Sequence, residues 1–174
     1  MGISAVMKDA RKAAMRAVGV PPEAGEQDLL DTLKAEHDEV KSLLEDLQNA
    51  DTAPQRNALV KKIKGALVPH TKAEEKILYA AIIALKDKDA QVDGHEGNIE
   101  HDLAAKTLQK LGAIRNGKSA EHKAAAKVLK ELVDHHIQEE ERNAWSDARK
   151  HFSDKDRIAM NRRYLAAKAR VKVP

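Results

Sequence analysis

A chain of 174 residues with a formal charge of +3 is long enough for one domain with a sizeable core and short for two. It contains no cysteine, which excludes disulfides, zinc ribbons, iron–sulfur ligation and thiol catalysis. Four aromatic residues and an abundance of Ala, Leu, Lys and Glu argue for an aliphatic helical core and against a β-sandwich or barrel.

Residues 3–18 read as a short amphipathic helix, ended by Gly19 and the Pro21-Pro22 pair. Lys8, Asp9, Arg11, Lys12 and Arg16 interrupt it, so it lacks the apolar centre of a secretory signal. With no apolar run long enough to span a membrane, the expected location is cytoplasmic. Helix A is expected over residues 27–48, where Leu30, Leu33, His37, Val40, Leu44 and Leu47 recur at helical steps. Thr52 and Gln55 form a capping box that opens helix B, with Pro54 in its first turn. The stripe of helix B is Leu59, Ile63, Ala66/Leu67, His70, Glu74, Ile77/Leu78 and Ala81. Pro69 lies inside it, removes the bond to the carbonyl of Gly65, and is expected to kink the helix just before His70.

Residues 86–97 are polar and carry Gly94, and read as a turn and the ragged start of helix C. Helix C shows His101, Ala104/Ala105, Leu108 and Leu111, and stops at Arg115-Asn116-Gly117. Ser119 caps helix D, whose stripe is Leu129, Leu132/Val133, His136, Glu140 and Ala144. A last helix, capped by Ser153 or Asp154, carries Ile158, Tyr164, Leu165 and Val171. Residues 153–174 hold seven Lys or Arg against two Asp. Such a tail could touch nucleic acid or an anionic membrane, but reads better as a solvated helix face. The expected fold is all-α: an antiparallel up-down-up-down four-helix bundle over residues 27–152, with an N-terminal helix and linker (1–26) and a basic C-terminal helix (153–174).

The chain repeats itself. Glu36-His37-Asp38 recurs as Glu100-His101-Asp102, each followed by leucines at the same steps. His70-x-x-x-Glu74-Glu75 recurs as His136-x-x-x-Glu140-Glu141, with Tyr79 matching Trp145. Two such hairpins face to face would bring two half-sites together. A His and a Glu four apart share a helix face, so each pair can reach one point beside the helix. Burying the two carboxylates without a cation would be costly. The expected metal ligands are His37, His70, Glu74, His101, His136 and Glu140. His37 and His70 would hold one ion, His101 and His136 another, with Glu74 and Glu140 bridging. Nitrogen and oxygen donors without thiolate suit iron or manganese better than structural zinc. His135 with Glu139 also has the right spacing, but the repeat aligns His135 with Pro69 and His136 with His70. His95, His122 and His151 read as surface histidines, and Asn98 and Asn143 as inner-face residues that could hydrogen-bond a bound oxygen species.

As a set these motifs resemble the hemerythrin-like HHE cation-binding domains over residues 28–152. The resemblance implies a non-haem di-iron centre with carboxylate bridges from the second and fourth helices. An oxo or hydroxo bridge would complete it, and manganese or zinc could substitute. Oxygen-carrying hemerythrins have a fifth histidine one turn from the third-helix ligand; here those positions are Gly97 and Ala105. Three functions fit: binding or sensing O₂, NO or peroxide; a di-iron enzyme with peroxidase- or catalase-like or NO-reducing activity and an electron donor; or a metal-stapled interaction protein using its basic helix.

Overall fold

The computed structural model describes residues 27–173, and every regular element among them is helical. The expected helix over residues 3–18 lies outside them. Helix α1 (Leu29–Asn49) starts where the Asp28 carboxylate accepts from the Leu30 amide at 2.9 Å. Helix α2 (Ala53–Glu74) starts at the Thr52–Gln55 capping box. It runs through Pro69 without ending there, and Gly65, whose carbonyl the proline leaves without its partner, is exposed to water. The departure from α geometry comes later, as a π-helical turn at Glu75–Tyr79 followed by α3 (Ala80–Ile83).

Helix α4 (Lys88–Ala113) begins well before the expected start. Asp87 accepts from the Asp89 and Ala90 amides and caps it, so residues 88–97 are helix and not turn. Gly94, read as a turn signal, is a site of close packing, and so is Gly97. A Cβ on Gly94 would lie 2.8 Å from Ile83, and one on Gly97 would lie 2.4 Å from the Tyr79 ring. Helix α5 (Ala120–Arg142) is capped by Ser119. The expected run through Ala144 is interrupted at Asn143, and α6 (Ala144–His151) follows. A second capping box, Ser153 with Asp156, opens α7 (Asp154–Lys168), which ends before Val171.

Two apolar clusters fill the helical bundle. One gathers Leu29 and Leu33 from α1, Ala73 to Ile82 around the π turn, Trp145 and Ala148 from α6, and Met160 and Tyr164 from α7. The other gathers Val40, Leu44 and Leu47 with Val60, Ile63, Leu67, Leu108, Leu111, Leu129 and Val133. In sequence His37 falls between Leu33 and Val40, and His70 between Leu67 and Ala73, so the polar residues sit at the seam between the clusters. Helix α7 is docked and not free. Tyr164 and Asn161 are fully buried, Asn161 Nδ2 donates to the Gln27 carbonyl at 3.0 Å, and Arg157 pairs with Asp28 at 2.8 Å.

Candidate metal centre

Each of the four stripe histidines is almost fully buried, and so are Glu74 and Glu140. All four turn Nε2 towards this pair of carboxylates. His70 Nε2 lies 3.3 Å and His101 Nε2 3.4 Å from Glu74 Oε2, while His37 Nε2 lies 3.3 Å and His136 Nε2 3.6 Å from Glu140 Oε2. The Nε2 atoms of His101 and His136 face each other at 3.1 Å. The donor atoms fall into two overlapping groups, His37/His70/Glu74 and Glu74/His101/His136, which share Glu74.

Four further glutamates face the outer nitrogens; three of them hydrogen-bond there, while His101 Nδ1 has Glu75 near it but no hydrogen-bond partner. Glu36 lies 3.0 Å from His70 Nδ1, Glu100 2.8 Å from His136 Nδ1, Glu141 3.0 Å from His37 Nδ1, and Glu75 3.3 Å from His101 Nδ1. The pattern obeys the internal repeat. The glutamate preceding a histidine of α1 or α4 serves the next helix, and the second glutamate of each Glu-Glu pair serves α1 or α4. An Nδ1–H given to a carboxylate leaves the Nε2 lone pair free, which is the arrangement of a metal-ligating imidazole. Sequence reasoning missed these four roles, although the repeated Glu36/Glu100 and Glu75/Glu141 were a usable signal.

Aromatic residues complete the surround. Trp145 Nε1 donates to Glu140 Oε1 at 3.1 Å and its ring stacks on His37. Tyr164 donates to Glu36 Oε2 at 2.6 Å and lies 3.1 Å from His70 Nδ1. Tyr79 leans on the His101 ring at 5.4 Å between centroids. Its ring fills the space that a side chain at position 97 would need, so Gly97→Ala should displace it and lower stability by about 1–3 kcal/mol in chemical denaturation. Wild-type stability in that variant would show that the contact can relax freely.

The remaining histidines divide. His95 and His151 are exposed as expected, and exposed His135 lies 3.4 Å from Glu100 Oε1, outside the inner set. His122, expected at the surface, is buried at 1 % exposure. Asn98 is half-buried with Oδ1 unpartnered, and Asn143 Nδ2 donates to Glu139 at 3.1 Å.

The donor set fits a metal on direct grounds. His37 Nε2, both Glu74 oxygens and Glu140 Oε2 are buried without a hydrogen-bond partner. Buried oxygens of this kind are costly unless a cation or a donor meets them. The hemerythrin HHE cation-binding domain model matches residues 28–146. The chain belongs to the hemerythrin HHE family. No curated protein and no solved structure matches it. Membership makes this HHE chain a metal-binding protein, with iron the metal implied. Among the described residues no helix is long and apolar enough to cross a membrane.

Protons compete with metal for these atoms. Burial lowers the basicity of His37, but Glu140 and Glu141 outweigh it and raise its pKa to about 9. Burial likewise opposes, and Glu74 and Glu36 overcome it, in raising His70 to about 10. Burial works against ionisation of Glu74 too, yet His70 and His101 hold it well below the usual range. A histidine raised by folding stabilises the fold below its ordinary value of 6.5, and that contribution is lost as pH rises through 9 to 10. A lowered carboxylate stabilises above its ordinary 4.5 and loses that contribution as pH falls. Metal-stripped protein is therefore expected to be most heat-stable between roughly pH 5 and 6.5, and to lose stability steadily as pH rises towards 9 to 10. Metal uptake near neutrality should release protons. Thermal unfolding across pH checks the first; a melting temperature still rising at about pH 10 would contradict it.

Proposed function

We propose that the chain holds two iron ions in an up-down-up-down, antiparallel four-helix bundle and uses them to bind or sense O₂, NO or peroxide. His37 and His70 would hold one ion, His101 and His136 the other, and Glu74 and Glu140 would reach both, with an oxo or hydroxo bridge between them. The carrying observation is the pair of donor groups that share Glu74. Two iron ions so held would supply redox chemistry at positions the six side chains do not fill. The metal-binding unit is taken as residues 27–152, in the cytoplasm, a setting compatible with a chain that has no cysteine.

The protein's own part is to orient and to exclude. Glu36, Glu100 and Glu141 hold three imidazoles by their outer nitrogens, so that the inner lone pairs point inward, and Glu75 stands beside the fourth. The two apolar clusters keep bulk water from the seam. A narrow cleft lined by Tyr79, Gly97, Asn143 and the edge of Glu140 contains about 10 Å³, close to the room one water needs. That size supports a small reactant and argues against an organic substrate.

The cleft also supports the enzymatic reading, in which peroxide or NO is consumed. Mixing iron-loaded protein with O₂, NO and peroxide in separate experiments distinguishes them. A stoichiometric absorption change without turnover is expected for a binding or sensing protein, and sustained consumption for an enzyme. No spectral change with any of the three would contradict both. The reading as a tail-mediated interaction protein is less favoured, because Arg157 and Lys168 of α7 are committed to Asp28 and Glu36.

A further inference from the structure

We propose that a groove between α2 and the end of α4 is a second binding site, for a small amphipathic anion with a carboxylate or phosphate head on a short apolar chain. The cavity there holds about 420 Å³, within the roughly 300–1,000 Å³ usual for small-molecule sites. Its floor is apolar: Val60, Leu111 and Ile114 belong to or pack on the second core cluster, remote in sequence from the metal-site residues of the same helices. Its rim is cationic. Lys61, Lys64 and Arg115 line it, no carboxylate does, and none of the three cations has an ion-pair partner among the described residues.

His122 is the buried polar group of this wall. It is 1 % exposed and its Nδ1 has no hydrogen-bond partner. An orphaned buried ring nitrogen is uncommon in a folded chain. Nδ1 is sealed from water with the ring as it stands, and a turn of the ring towards the groove would let it donate its N–H to a head-group oxygen. Burial and the neighbouring Arg56 lower the basicity of the ring, so cationic attraction in the groove comes from the lysines and the arginine. Gly112 lines the groove and is exposed, and a Cβ there would meet nothing within 4 Å, so a larger side chain can be placed at that position without displacing its neighbours.

Charge selects the occupant. An apolar floor under three unpaired cations fits an anion with an apolar body. It does not fit the chain's own residues 3–18, whose Lys8, Arg11, Lys12 and Arg16 outnumber Asp9 and carry the same sign as the rim.

The test is calorimetric titration of the full-length, iron-loaded protein with octanoate and with octyl phosphate, each below its micelle concentration. Octanol and octyltrimethylammonium serve as controls. Saturable one-to-one binding of at least one anion is expected, about tenfold or more tighter than octanol, with no binding of the ammonium. The tighter of the two anions identifies the head group. Lys64→Glu should weaken binding by about tenfold or more, and Gly112→Leu, which fills the cavity, should abolish it. Iron per chain should be unchanged in both variants. Absence of saturation with either anion, octanol binding as tightly as the anions, or unchanged binding in both variants would overturn the assignment.

Discussion

Glu74→Ala is expected to lower iron from about two ions per chain to well under one, because this carboxylate is the member that both donor groups share. Its Oε2 lies 3.3 Å from His70 Nε2 and 3.4 Å from His101 Nε2, so its loss removes anionic charge from both halves at once. A single histidine substitution should be milder. His37→Ala leaves Glu74, His101 and His136 together and should spare one ion. Glu74→Gln preserves shape and removes charge, which separates an electrostatic role from a packing role. Its iron content should resemble that of Glu74→Ala, with helix content retained in circular dichroism. A Glu74→Ala protein that still loads two ions would show that this side chain is not a ligand.

Tyr164→Ala is expected to cost about 3–5 kcal/mol, the range for truncating a buried aromatic. For a chain of this size that is a fall of roughly 10–15 °C in melting temperature. The residue is fully buried beside Leu29, Ala73 and Ile77, and it anchors α7 to the bundle. Tyr164→Phe keeps the ring and removes only the hydroxyl, which donates to Glu36 and lies 3.1 Å from His70 Nδ1. That variant should lose about 1–2 kcal/mol and weaken the ion held by His70 by up to about tenfold. Thermal unfolding and competition with a chelator measure the two effects. Wild-type metal affinity in Tyr164→Phe would show that the hydroxyl serves the fold alone.

The inner residues were legible because each histidine interrupts a leucine stripe, and a polar residue on an apolar face announces itself. Glu36, Glu75, Glu100 and Glu141 gave no such sign. Glutamate on a helix is ordinarily solvated, and their partners lie on neighbouring helices, so the repeat could flag these residues but only packing reveals which histidine each one faces. Gly94 was misread because glycine serves both a turn and a close helix contact; the contacting Ile83, like the Tyr79 that packs on Gly97, lies on a preceding element. His122 was misread because its burial depends on tertiary packing at the same end of the bundle, where Gly117 of the loop between α4 and α5 closes against Ala53 and Asn57 of α2. The π-helical turn at Glu75–Tyr79 has no local signal at all. Tyr164 was seen as part of a stripe, yet its place beside His70 follows from how α7 docks.

The most direct test of the central claim is an anaerobic titration of metal-stripped protein with ferrous iron, read as bound iron per chain. Two equivalents bound, with saturation falling to about one in His37→Ala, is the result expected of paired sites sharing Glu74. No stoichiometric uptake, or saturation at a single equivalent in the unmodified chain, would contradict a two-metal centre.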